Sequence, residues 1–202
     1  MNSAIFCLHY LPNIEWYCHF IRFENVILEK HENFVKSSFR NRCDIYGANG
    51  RLTLSIPVSG GRDHHRLYTE TNVFNGSNWQ HVHWNSIVSA YGKAPFFDYY
   101  APQLQEYYLK EWESLFDFNL QLLQQLNTIL KIETPITFTE SFENEPGNGI
   151  TDCRNLKPFF LSRYYQSFES RHGFIPNLSI LDLLFHEGPL AVNYLSQQKS
   201  PA

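Results

Sequence analysis

Apolar positions open the chain as a near-continuous run, "AIFCLHYL" over Ala4–Leu11, the pattern of a strand buried on both faces; Pro12 and Asn13 end it. "IEWYCHFIRF" then sets Trp16, Phe20 and Phe23 on one side of a short helix, and "NVILE" at 25–29 reads as a second strand. Strand, short helix and strand in so little chain predict a parallel βαβ start. After a polar segment, "DIYGANGRLTLSIPV" predicts a β-hairpin. Ala48-Asn49-Gly50 supplies positive-φ turn residues between Ile45 and the alternating Leu52, Leu54, Ile56 and Val58, and Pro57 marks an edge or a strand end. "LYTETNVF" reads as a further strand.

The period then changes. Trp84, Ile87, Val88 and Tyr91 fall at helical spacing and predict an amphipathic helix ending near Gly92. Two prolines lead into the longest expected helix, Glu111–Leu130, with one stripe of Trp112, Leu115, Phe116, Leu122, Leu123, Leu126 and Leu130. "PITFTES" is a strand by β-branched alternation, "FENEPGNGITD" a loop, and "RYYQSFESRHGF" fits either a strand pair or a helical turn. Asn177 is an expected N-cap for a helix through Phe185 that breaks at Gly188-Pro189, with a last short helix to Leu195 and a frayed tail over 198–202. The expected fold is α/β: a mixed sheet with a parallel βαβ start, a β-hairpin and packed C-terminal helices, in a single domain over residues 1–197.

Composition narrows the function classes. Apolar residues at 43% and aromatics at 16% exclude a disordered chain and call for a bulky core or pocket. A formal charge of −4 excludes a general nucleic-acid or anionic-membrane surface, so any phosphate site must be local. No stretch is apolar for long enough to cross a bilayer, and the start lacks a basic leader region, which points to a cytoplasmic protein. Cys7, Cys18, Cys43 and Cys153 show no metal-ligand spacing and read as reduced, buried thiols; no metal site and no particular cofactor is implied.

One local concentration of cations stands out. Lys36, Arg40 and Arg42 fall within seven residues, interleaved with Ser37, Ser38 and Asn41, just after the second strand. Guanidinium forks and amides there suit a carboxylate or phosphate at the carboxyl edge of an open sheet. The competing reading is a solvated basic loop that pairs with Glu24, Glu29 or Glu32. His9, at the end of the apolar first run, suits either acid/base chemistry or a hydrogen-bonded core position. His83 opens the first long helix, the loop "SGGRDHHR" carries His64 and His65, and Asp182 and Glu187 fit capping or ion pairing. No G-x-S-x-G, H-E-x-x-H, P-loop or dinucleotide fingerprint occurs.

The blocks "HYLPNIEWY" (9–17), "SFRNRCDIYGANGRLTLSIPV" (38–58), "HWNSIVSAYGKAPFFDYY" (83–100) and "GFIPNLSILDLLFHEGP" (173–189) carry a resemblance in the same order to the WbqC-like family, in the short form common among Bacteroidetes-type bacteria. It departs from that pattern at "NRCD", where some members have N-R-N-R, and at His186, where Asn is expected. The resemblance implies a link to surface-polysaccharide or O-antigen biosynthesis and a transferase of aminoacyl or acyl groups. It marks His9, Asn41, Arg42, His83, Trp84, Tyr91, Lys93 and Asn177 as candidate functional positions. Together with the residue chemistry it gives one expectation: His9 or His83 as acid/base, with Lys36, Arg40, Asn41, Arg42, Lys93, Tyr91 and Asn177 around a small anionic or nucleotide-linked substrate. The alternative is a non-catalytic small-ligand-binding or assembly protein of the same pathway. Exposed aromatics leave room for a homodimer.

Overall fold

The computed structural model describes residues 2–60 and 66–199, so the His64-His65 pair of the Gly-rich loop lies outside the described residues. The apolar opening run becomes β1 (Ser3–Cys7), followed by α1 (Ile14–Phe20) and β2 (Asn25–Glu29). Asn13 caps α1, its side-chain oxygen accepting from the Trp16 amide at 2.9 Å. β1 and β2 pair in parallel with Phe6 opposite Leu28 and Cys7 opposite Glu29. The expected βαβ start is present.

Two short strands complete the parallel sheet in the order β5-β2-β1-β6, with β5 (Ile136–Phe138) on β2 and β6 (Ile150–Asp152) on β1. Alternation along β1 and β2 splits the sheet into two faces. Ala4, Phe6, Val26 and Leu28 are fully buried on one face, where the Phe6 ring lies 5.2 Å from Trp16 and 5.9 Å from Phe20 of α1. Ile5 and Ile27 point the other way, beneath the segment 139–149 that runs from the end of β5 to the start of β6. Both edge strands are parallel to the centre, so this connection has to return across the sheet.

The hairpin forms its own two-stranded antiparallel sheet, β3 (Arg42–Gly47) with β4 (Gly50–Ser55). Its turn differs from the expected one: only Gly50 has positive φ (98°), while Ala48 and Asn49 keep ordinary backbone angles. "LYTETNVF" is not a strand. It folds as a single 3-10 turn at Tyr68–Glu70 and contributes isolated bridges, Asn72 to Ser114 and Val58 to Val73. That pairing also shortens the long helix. Val73 donates to Glu113 O and Leu115 to Thr71 O, so residues 113–115 are held against 71–73 and α4 (Leu115–Leu130) starts only after the Ser114 cap.

Ahead of it lie α2 (Trp79–Tyr91) and α3 (Phe97–Gln105), the latter running through Pro102 in a region expected only to cross over. The ambiguous "RYYQSFESRHGF" contains one helical turn, α5 (Glu169–His172). α6 (Ile180–Glu187) is buried from Ile180 through His186, as a helix apolar on all sides requires. Its cap is Ser179, whose hydroxyl accepts from Leu181, and not Asn177, which takes positive φ (55°) two residues earlier. The break at Gly188-Pro189 is present and α7 (Ala191–Gln197) follows. The chain stays packed through Gln198, whose amide carbonyl accepts from Ser162, and through Lys199, which bridges to Phe160.

α4 ends on Lys131 in the left-handed region (φ 57°, ψ 40°), a conformation that costs a side chain and suits glycine. Lys131→Gly is expected to raise unfolding stability by about 0.5–1 kcal/mol, after allowing for the extra freedom glycine has in the unfolded chain. Urea denaturation of the two proteins checks it.

Candidate functional site at the carboxyl edge of the sheet

Open parallel sheets present ligand-binding groups just beyond the carboxyl ends of their strands. Here those ends carry Cys7, Glu29 and Asp152, and the segments beyond them bring in more charge. The register that sets Cys7 beside Glu29 also brings the segment after β2 over β1. Glu32, only 6% exposed, receives a bidentate ion pair from Arg40, with Nε donating to Oε1 at 2.8 Å and Nη2 to Oε2. The Cys7 thiol donates to the same Oε2 at 3.1 Å. Burial and the adjacent Glu32 charge push the Cys7 thiol far above its ordinary pKa, so it is a hydrogen-bond donor here and not a nucleophile.

A second pair stands beside the first. Glu29 is fully buried, and its Oε1 accepts from the His31 amide (2.7 Å) and the Thr139 hydroxyl (2.8 Å). Arg154 grips Asp152 through Nε and Nη2, at 3.0 and 2.7 Å, and holds Asp152 below the usual carboxylate range. The same guanidinium donates to the carbonyls of Glu143 and Asn144 and stands 3.8 Å from Glu29 Oε2.

His9 lies two residues past β1, packed between Phe39 (5.4 Å between centroids) and Trp16 (6.2 Å). Burial, with the Arg40 charge second, lowers its pKa to about 3, so the imidazole is neutral across the physiological range. Its Nδ1 is buried without a hydrogen-bond partner, and so is Arg42 Nε at the start of β3. The two residues hang on one segment: Tyr10 N donates to Phe39 O, and Arg42 N to Ser38 O. No hydrogen bond or ion pair joins the two side chains among the described residues. Glu29 Oε2 and His31 Nε2 are unpartnered as well. Four such atoms, all on the ends of β1, β2 and β3 or the segments between, give this edge unused hydrogen-bonding capacity of the kind a ligand meets.

The remaining candidates fall in other surroundings. Asn41 is buried; it accepts from Ser37 N at 3.1 Å and donates to Ile56 O at 3.0 Å, which shapes the 37–41 loop against the end of β4. His83 sits in the core, its Nδ1 2.9 Å from the Tyr10 hydroxyl, which itself meets the Tyr108 hydroxyl at 2.9 Å. Burial lowers the His83 pKa to about 4. Tyr91 is buried, and its hydroxyl accepts from the Tyr46 amide at 3.1 Å. Asn177 clasps the first turn of α1, donating to Glu15 Oε2 at 2.6 Å and accepting from Glu15 N at 3.0 Å. Lys36 and Lys93 are exposed. His9 and Arg40 stand at the carboxyl edge of the parallel sheet and Arg42 opens the neighbouring hairpin, while His83, Tyr91, Lys93 and Asn177 stand elsewhere. Sequence reading had Cys7 as a reduced, buried thiol, which it is, and passed over Asp152 and Arg154. A charge closing the apolar "NVILE" was the available signal for Glu29, which entered the reading only as an ion-pair partner.

These features define an α/β protein whose charged and unpartnered groups gather at the carboxyl edge of a parallel sheet. The chain belongs to the WbqC-like protein family, whose model matches residues 9–157, from His9 to just beyond Arg154. The block 173–189 lies outside that match. The chain is also similar to the uncharacterized protein Rv1507c of Mycobacterium tuberculosis (strain ATCC 25618 / H37Rv), at 26% identity over 85% of this chain and 87% of the relative. No solved structure matches. Among the described residues no helix is long and apolar enough to cross a membrane.

The Glu32–Arg40 pair is nearly desolvated, so Glu32→Gln should destabilise the protein by about 3–5 kcal/mol, and the double substitution Glu32→Leu/Arg40→Met should recover most of the loss. Equilibrium urea unfolding of the three proteins reads this directly. His83 titrates near its ordinary 6.5 when unfolded but at about 4 when folded, so its contribution is complete above pH 6.5 and declines as pH falls toward 4. His83→Gln should flatten the decline in melting temperature over that window, removing a dependence on the order of 3 kcal/mol.

Proposed function

We propose that this protein is a group transferase that moves an aminoacyl or acyl group onto a nucleotide-linked sugar in surface-polysaccharide biosynthesis. The observation that carries the reading is the pair of buried, unpartnered nitrogens, His9 Nδ1 and Arg42 Nε, on segments joined at residues 38–39 beside the carboxyl edge of the sheet. Membership of the WbqC-like family supports the pathway.

In this mechanism Arg42, aided by Lys36, binds the phosphate of an activated acyl donor or of the acceptor. Arg40 stays on Glu32 and keeps the loop in place. The acceptor's amine or hydroxyl lone pair forms the new bond to the acyl carbon. The bond from that carbon to the donor oxygen breaks, and the donor leaves with the electron pair. His9 Nδ1, neutral before substrate arrives, takes the acceptor's proton and returns it to the leaving group. A low resting pKa makes His9 a weak base alone; an anion seated beside it raises that pKa toward the useful range.

A panel of nucleotide-sugars, aminoacyl donors and simple anions, read by melting-temperature shift, identifies the ligand. Arg42→Met is expected to fold normally and lose that shift, and His9→Ala to keep the shift and lose turnover. An Arg42→Met protein that melts early yet binds normally overturns the anion role. Full pathway activity with His9→Ala selects the rival reading, a non-catalytic ligand-binding or assembly protein.

A further inference from the structure

The face of the sheet opposite α1 is roofed by the return segment 139–149, and the roof does not close on the floor. A cleft of about 280 Å³ remains between them, with Ile5, Ile27 and Ile150 beneath and Glu29, Glu140 and Glu143 at its sides. At ~30 Å³ per water-sized group, it holds a molecule of roughly nine non-hydrogen atoms. Among the described residues no lysine, arginine or histidine lines it; Lys30 stands outside, its Nζ 5.9 Å from the centre of the Phe138 ring.

Glu29 gives the cleft its direction. The residue is 0% exposed, one oxygen is doubly used by His31 N and Thr139 Oγ1, and Oε2 has no hydrogen bond. Arg154 Nη1 stops at 3.8 Å, beyond hydrogen-bonding distance, and four of the five guanidinium N–H groups go to Asp152 and to the carbonyls of Glu143 and Asn144. A buried carboxylate oxygen left without a donor is costly, and Glu29 is one of the residues that line the cleft. The donor that completes it must be small and compatible with isoleucine walls, and a cation suits the carboxylates at the sides. A metal ion fits poorly, since no group of three or more His, Cys, Asp or Glu among the described residues is arranged to hold one.

We propose that the cleft binds the primary ammonium group of a small organic amine, with Glu29 Oε2 as its principal acceptor and the apolar floor against its carbon chain. Glu140 and Glu143 add attraction from the sides. This holds whatever reaction His9 and Arg42 serve.

The test uses n-butylammonium chloride as the probe, with n-butanol and potassium chloride as controls, on the full chain. Saturable chemical-shift changes in NMR titrations are expected for the amine alone, and Glu29→Gln should weaken binding at least tenfold. Gly147 also lines the cleft, its backbone is unstrained, and a Cβ there meets nothing within 4 Å. Gly147→Phe should therefore fold normally and block binding, which keeps the proposal testable if Glu29→Gln fails to fold. Equal response to butanol, or undiminished amine binding in a folded Glu29→Gln or Gly147→Phe protein, overturns it, as does the absence of a saturable response in the parent protein.

Discussion

The parallel pairing of β1 with β2 fixes the rest of the molecule. Setting Cys7 opposite Glu29 turns Phe6 and Leu28 toward α1, sends Ile5 and Ile27 to the opposite face, and delivers two strand ends with buried polar groups to one edge. A slip of one residue would exchange the two faces, placing the isoleucines against the aromatic core and phenylalanine under the return segment. The ion pairs depend on the same register. Glu32 meets Arg40 and Cys7 because the chain leaving β2 rises directly over the end of β1.

What the sequence made legible follows from the range of the forces involved. The first βαβ unit and α6 were readable because a buried strand or helix states its environment in its own apolar pattern. β6 was not: Ile150–Asp152 is three residues in a polar tract, and what makes them a strand is pairing with Ser3–Ile5 at the far end of the chain. "LYTETNVF" erred in the other direction. It alternates convincingly, yet no neighbouring strand runs alongside it, and single bridges to Val58 and Ser114 leave a 3-10 turn as the local solution. Asn177 has good capping chemistry and spends it on Glu15 of another helix.

The site shows the same division. The cation-rich segment before β3 could be located from sequence, and its expected pairing with Glu32 is present. Arg40 is the loop cation that pairs with an acid, while Arg42, two residues on, keeps an unpartnered nitrogen. Which arginine did which was decided by strand geometry: Arg42 enters the β3 ladder opposite Ser55, and Arg40 remains in the loop facing Glu32. Arg154 had no signal at all. Its neighbours in space come from β2, β6 and the segment between β5 and β6, and no local pattern encodes such a meeting.

That meeting bears on the order of assembly during synthesis. Cys7 and the Arg154 carbonyl approach each other across 147 residues of chain, so β1 leaves the ribosome long before the strand that will flank it exists. Until then one edge of the nascent sheet stays open and Glu29 faces water without its arginine. The hairpin and the middle helices, built from nearer contacts, are available to form first. Completion of the charged edge is thus a late event in the biogenesis of the protein, and an interrupted chain ending before Arg154 would carry the strands with that edge incomplete.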